Sequence, residues 1–123
     1  MPRKPTLKSI KKRLDDLIQV ITKETWKYCE ACGANCDVGH HYYTKGSSNN
    51  LRWNMANIIP LCGKCHFSHH QKADPRIHNA VLKVRGQVWH DEMTRLQPIP
   101  FKVNMKILNE LYLELCQTKV DGI

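Results

Sequence analysis

The chain has 123 residues, of which 41% are hydrophobic, and its formal net charge is +8. This length fits one soluble domain. The sequence has no run of about 18 apolar residues, so it predicts no membrane span. The basic N-terminus lacks the apolar core of a secretory leader, so we expect a cytoplasmic protein of a bacterium or a phage-infected cell. In that reducing compartment, cysteines favour metal binding over disulfides. The positive charge favours nucleic acid as a partner.

The first predicted element is a helix from Thr6 to Glu24 within a basic N-terminal arm, residues 1–27. Six of the first thirteen residues are Lys or Arg, and such an arm can neutralise phosphates without reading sequence. Two heptads are too few to predict a coiled-coil dimer, so we expect a monomer. The apolar stripe of this helix, at steps of three and four residues, consists of Leu7, Ile10, Leu14, Leu17 and Ile21.

The central part, residues 28–72, alternates turn signals with short segments. The segments HHYYTK and NNLRW could form the strands of a hairpin around GSSN. The following segment, CHFSHHQKA, is typical of a helix. Trp53 favours packing in the core over stacking on a nucleobase.

The C-terminal part, residues 73–123, is predicted to be helical. Asp74 and Pro75 mark a helix start, and Gly86 marks its end. A second helix, QVWHDEMTRL, is stopped by Pro98, and VNMKILNELYLELCQ forms the last one. With no repeat and no linker, residues 1–123 are predicted to form a single small α+β domain.

Two CxxC pairs, Cys29 with Cys32 and Cys62 with Cys65, predict a metal site. Each pair places two thiolates on one tight turn, and four sulfurs in a tetrahedron suit a structural zinc ion. Cys36 is close enough along the chain to compete as a ligand, but we interpret it as a bystander. Cys116 lies on the apolar face of the last helix and is assigned to the core.

Five of the seven histidines lie between residues 40 and 70, and their spacing predicts a second metal site. His66 and His70 leave the same face of a helix, one turn apart, and His69 could substitute for His70. In a strand, His40 and His41 project to opposite sides, so one can bind an ion while the other faces a substrate. Clustering of surface histidines without a ligand is the alternative.

The stretch GHHYYTKGSSNNLRWNMANIIPLCGKCHFSHH resembles the HNH nuclease motif, also called the His-Me or ββα-metal finger. The resemblance implies a finger framed by the four-cysteine site, with flanking helices at both ends. His41 would be the general base, and Asn57 would hold the loop that positions it. The doubled histidine is similar to colicin-type nucleases, which implies His40, His66 and His70 as ligands of one catalytic Mg²⁺, Mn²⁺, Ni²⁺ or Zn²⁺ ion.

The order of CEACG, GHHYYTKG, LRWNMANI, LCGKC and KVRGQVWHDEM also resembles the NinG/Rap recombination nucleases of phages. The function that this implies is a metal-dependent DNA endonuclease with a one-metal, histidine-general-base mechanism. The alternative is a zinc-dependent DNA-binding protein without hydrolytic activity. We expect phosphate contacts from Lys45, Arg52, Lys64 and Lys72.

Overall fold

A computed structural model describes residues 4–72 and 75–120, and gives the backbone without side-chain detail at 70–72 and 118–120. Within these ranges the fold is small and α+β, with a two-stranded antiparallel sheet and flanking helices, as predicted. None of the described helices combines the length and apolarity needed to cross a bilayer. The elements are α1 (Leu7–Thr25), β1 (Val38–His41), α2 (Asn49–Arg52), a 3-10 turn (Met55–Asn57), β2 (Ile58–Leu61), α3 (Gly63–Lys72), α4 (Pro75–Leu96) and α5 (Met105–Val120).

Helix α1 begins and ends within one residue of its predicted bounds. The Thr6 hydroxyl accepts a hydrogen bond from the Ser9 N–H, and the Ser9 hydroxyl accepts one from the Thr6 N–H. This reciprocal capping satisfies N–H groups that the first helical turn leaves open. Leu7, predicted in the apolar stripe, is 40% exposed at the first helical position, whereas Ile18 is fully buried.

The predicted hairpin around GSSN is wrong. Strand β1 pairs instead with β2, in a register that places Val38 opposite Leu61 and His41 opposite Ile58. The NNLRW segment forms α2, because the Ser48 hydroxyl accepts the Leu51 N–H and caps a helical turn. The fully buried apolar run of β2 is better suited to a covered strand than the polar asparagines of α2.

Helix α1 lies directly on β1 at Gly39. A Cβ atom at this position would lie 2.6 Å from Thr22 Oγ1 and 2.8 Å from Ile58 Cγ2, so glycine permits the close approach. The Gln19 side chain donates to the Gly39 carbonyl at 2.9 Å and accepts from the Gly39 N–H at 2.8 Å. A helix side chain therefore satisfies the backbone of β1 just before His40 and His41.

Within the described residues, the hydrophobic core has two parts. The first lies between α1, α5 and the start of β2, and the second surrounds the cysteine pairs and the first half of α4. The buried members of the first are Ile10, Leu14, Leu17, Ile18, Ile21, Trp53, Ile58, Leu108 and Leu115. Those of the second are Cys29, Ile59, Leu61, Cys62, Cys65, Ile77 and Val81.

Helix α4 is interrupted at Gly86, whose φ of 87° is in the left-handed region that favours glycine. The predicted boundary between two helices is therefore confirmed at Gly86, while the predicted start at Asp74 lies outside the described residues. Arg85 donates to Glu30 Oε2 at 2.8 Å and to the Ile58 carbonyl at 2.9 Å. This partly buried ion pair ties α4 to the first CxxC turn and to β2.

Asp15 on α1 joins the helix to α2. Its carboxylate accepts two hydrogen bonds from Arg52, at 2.7 and 3.2 Å, and one from Trp53 Nε1 at 2.9 Å. Burial alone would raise the pKa of Asp15, but Arg52, Lys45 and Trp53 lower it below its usual range. Trp53 is 3% exposed, which confirms the predicted core position.

Replacing Asp15 with Asn should lower the free energy of unfolding by about 2–3 kcal/mol at neutral pH, because Arg52 would lose its counter-charge in a half-buried site. Urea denaturation with zinc present measures the change. The matched control is Asp16→Asn, since Asp16 pairs with Lys12 on the exposed side of the same helix. Stability of the control should equal that of the parent, and equal losses in both variants would contradict the assigned role of Asp15.

Candidate metal centres and catalytic cavity

The four cysteines of the two CxxC pairs form a compact cluster. Their Sγ atoms all lie within 4.8 Å of one another, and Cys32 and Cys62 are 3.6 Å apart. Sulfurs at the corners of a tetrahedral zinc site are about 3.8 Å apart when each Zn–S bond is about 2.3 Å. The described cluster could therefore hold a metal ion such as zinc.

Backbone geometry prepares this cluster for a cation. Burial alone would raise the pKa of Cys29. Hydrogen bonds from the N–H groups of Cys62, Cys32 and Ala31 outweigh that effect and lower the pKa to about 7. The pKa of Cys65 is raised, first by burial and then by the neighbouring sulfurs. Four adjacent thiolates repel one another, and a bound divalent cation would remove that repulsion.

The other two cysteines lie outside the cluster. The Cys36 thiol donates to the Val38 carbonyl at 3.7 Å and is not among the four gathered sulfurs. Cys116 packs against the core between α1 and α5, as predicted. Neither residue therefore belongs to the described cysteine cluster.

Purified protein should contain one tightly bound zinc ion per chain, and Cys62→Ser should lose it together with most of the native fold. The loss follows because a small domain depends on its metal for folding energy. Zinc released under denaturing conditions can be measured with a chromogenic chelator, and folding by circular dichroism. Cys36→Ser is the control and should keep its zinc. Loss of zinc in Cys36→Ser with retention in Cys62→Ser would reverse the ligand assignment.

The predicted histidine site coincides with a cavity of about 310 Å³. Strand β1, α1, α3 and the loop after β1 all contribute to its wall. The lining residues are Gln19, Val38, Gly39, His40, His41, Thr44, Lys45 and His66. Side chains that are distant along the chain thus share one pocket, and both histidines of the doubled pair line it.

The His40 ring meets two rings of α3. Its centroid lies 5.4 Å from that of His66 and 4.6 Å from that of His69, both edge to face. His70, the predicted third ligand, has a side chain that lies outside the described part of the structure. His69 is therefore the second helical histidine that is seen beside His40.

His41 is held by the backbone. Its Nε2 lies 2.8 Å from the Arg52 carbonyl oxygen, which can only accept, so Nε2 carries the proton and Nδ1 keeps its lone pair. Burial lowers the pKa of His41 below its usual value, and the Arg52 carbonyl opposes this shift in part. A buried, neutral imidazole with a free Nδ1 lone pair is the form that a general base requires.

Asn57 is fully buried and ties the loop together. Its Oδ1 accepts the Tyr43 N–H at 2.9 Å, and its Nδ2 donates to the carbonyls of Tyr43 and Leu51, at 3.0 and 3.2 Å. Tyr43 is two residues beyond His41, and Leu51 directly precedes Arg52. One amide thus joins both segments that position the His41 ring.

The four predicted phosphate contacts have different surroundings. Arg52 is engaged by Asp15, and its side chain is 20% exposed. Lys45 lines the histidine cavity and is 51% exposed, with Nζ 3.8 Å from Asp15. Lys64 lines a second cavity beside Cys32 and Cys65. The side chain of Lys72 lies outside the described part of the chain.

Three residues that organise the site were not identified from the sequence: Gln19, Asp15 and Arg85. Each makes its hydrogen bonds with a segment at least twenty residues away. Gln19 and Asp15 are one turn apart on α1, next to the apolar stripe. This position beside the buried stripe was the signal in the sequence for Gln19 and Asp15, since polar side chains at such positions often bond to the element that packs there.

Comparisons of the chain with protein-family models, with curated proteins and with solved structures give no match. The chemistry that the cavity can support follows from three features of its residues. These are the hydrogen bond between His41 Nε2 and the Arg52 carbonyl, the buried Asn57 amide, and the neighbouring rings of His40 and His66.

Proposed function

We propose that the protein is a metal-dependent DNA endonuclease of the HNH type, which acts in phage DNA recombination or processing. The observation that carries the proposal is the His41 imidazole, oriented by the Arg52 carbonyl within a cavity that His40 and His66 also line. The order β1, β2, α3 supports it, since His41 ends the first strand, Asn57 precedes the second and His66 lies on the helix.

In this proposal His41 is the general base. Its Nδ1 takes a proton from the attacking water while Nε2 remains bonded to the Arg52 carbonyl. The water oxygen bonds to phosphorus as the bond to the 3′ oxygen breaks. Asn57 positions His41 by joining the segments on either side of its ring, and Lys45 lies in the same cavity, where it can offset phosphate charge.

His40 and His66 would hold the catalytic divalent ion together with a third histidine of α3, which is His70 by the resemblance and His69 by its ring contact with His40. Imidazole nitrogens from a strand and a helix suit Zn²⁺, Ni²⁺ and other transition ions, Mn²⁺ included, and Mg²⁺ is the other candidate. When bound, the ion would neutralise the scissile phosphate and the leaving oxygen. The contacts of His40 with His66 and His69 support a shared site.

His41→Ala should lower the rate of plasmid cleavage at least about 100-fold, because the attacking water loses its proton acceptor. Zinc content and DNA affinity should stay at parental values. The control is His90→Ala, a histidine of α4 that does not line the cavity. Cleavage by His41→Ala at the parental rate would show that another group is the base.

The third ligand can be assigned by comparing His69→Ala with His70→Ala. From the ring contact with His40, we expect His69→Ala to weaken Co²⁺ binding more than His70→Ala does, as measured by the visible absorption of the zinc-loaded protein. Parental Co²⁺ affinity in His69→Ala, with weak binding in His70→Ala, would instead assign His70.

The second candidate function is a DNA-binding protein held by zinc, without hydrolysis. The net charge of +8 and the cysteine cluster favour DNA binding in either case. Incubation of the zinc-loaded parent with supercoiled plasmid and Mg²⁺, Mn²⁺, Ni²⁺ or Co²⁺ separates the two. Binding without nicking under every ion would favour the second candidate.

A further inference from the structure

One face of α1 runs past the histidine cavity. Gln19 lines that cavity, and its amide fixes the helix against β1 through two hydrogen bonds to Gly39. At 3.6 residues per turn, Lys8, Lys12 and Lys23 lie within about 40° of Gln19 around the helix axis. All three lysines are exposed. We refer to Lys8, Lys12 and Lys23 as the lysine face.

The spacing along the axis places the cavity between cations. With a rise of about 1.5 Å per residue, Lys12 lies about 10 Å before Gln19, and Lys23 lies about 6 Å after it. From Lys8 to Lys23 the face extends about 22 Å, which corresponds to about six phosphates of one DNA strand along the duplex axis. Lysines on both sides could therefore contact phosphates on either side of the one in the cavity.

The acidic groups near this face are already engaged. Asp15, about 40° from Gln19 by the same helical geometry, is bonded to Arg52 and Trp53. Asp16 is 2.7 Å from Lys12 in an exposed pair. Exposed pairs of this kind contribute little to stability, so a phosphate can replace Asp16 beside Lys12 at small cost.

The opposite side of α1 packs on α5, although Arg13 remains exposed there. Leu14 and Leu17 pack in one cluster with Leu108 and Leu115 of α5. The Arg13 guanidinium lies over the Tyr112 ring, 4.8 Å from its centroid. The exposed basic surface of α1 that also reaches the cavity is therefore its lysine face.

We propose that the lysine face of α1 binds the phosphate backbone of DNA on both sides of the histidine cavity. The proposed nuclease function supplies the identity of the polyanion, and α1 defines where it lies. The face carries no element that reads base edges, so its contribution is independent of sequence. Gln19 connects binding to chemistry, because the same residue lines the cavity and fixes α1 on β1.

The test compares Lys12→Gln/Lys23→Gln with Lys102→Gln/Lys106→Gln. Both double variants remove two positive charges, but Lys102 and Lys106 lie before and at the start of α5, which packs on the apolar side of α1. Binding of a fluorescent 20-base-pair duplex is measured by anisotropy at several salt concentrations without the catalytic ion. The α1 variant should reduce the slope of log K against log salt by about 1.8 and weaken binding about 60-fold near 0.1 M salt.

The α5 variant should keep a slope within about half a unit of the parent, since its charges do not contact phosphates. Equal effects of the two variants, or none in the α1 variant, would overturn the proposal.

Plasmid cleavage by the parent is scored separately. If binding depends on the lysine face but the parent does not cleave plasmid, the proposed surface is supported and the nuclease function is contradicted. If the parent cleaves plasmid but Lys12→Gln/Lys23→Gln binds DNA as the parent does, the nuclease function is supported and the proposed surface is contradicted. A parent that binds no duplex contradicts both.

Discussion

The proposed site depends on the closure of one short hairpin. A two-stranded sheet is marginal in water by itself, and β1 and β2 are four residues each. The cysteine cluster draws together the loop before β1 and the turn after β2, at the end of the sheet where Val38 faces Leu61. Because α3 begins at this same turn, a bound cation would fix the sheet and the helix that carries His66 together.

The other end of the hairpin is held by hydrogen bonds. Here the connection between the strands must turn back, and the buried Asn57 amide supplies its partners at Tyr43 and Leu51. Helix α1 covers the outer edge of β1 through Gln19 and joins α2 through Asp15. The backbone that carries His41 and the Arg52 carbonyl that accepts from its ring are thereby both held in place, and in the proposed function this would preorganise the base.

The elements with a strong local signal were predictable from the sequence. The apolar stripe gave the bounds of α1, Gly86 gave the boundary within α4, and the two CxxC pairs gave the cysteine cluster. In each case the determining interactions are periodic or lie within a few residues, which is the range over which patterns are informative.

The predicted partner of β1 was wrong because the HHYYTK and NNLRW segments flank good turn residues, although polar and apolar residues alternate only weakly within them. Strand choice was decided by burial of Ile58 and Ile59 beneath α1 and α4, which no local pattern reveals. The same limit explains why Gln19 and Arg85 were missed. Their partners, Gly39 and Glu30, are determined by the tertiary fold.

Arginines and lysines near the proposed site differ in their surroundings. Three of the described arginines bond to a carboxylate: Arg52 to Asp15, Arg85 to Glu30, and Arg95 to Glu92. Guanidinium groups suit this role because their planar donors match a carboxylate in two places. By contrast, Lys8, Lys12 and Lys23 on α1 are exposed, and the side chain of Lys45 in the cavity wall is 51% exposed.

This difference bears on how the protein would meet a polyanion. Arg52, predicted from the sequence as a phosphate contact, is adjacent to the cavity but is needed to balance Asp15. Lys45 shares that carboxylate at 3.8 Å and is half exposed, so it can turn towards a phosphate while Arg52 keeps the ion pair. In the proposed function, strongly hydrated ammonium groups would then provide the long-range attraction, while the guanidinium of Arg52 stays bonded to Asp15 beside the backbone carbonyl that orients His41.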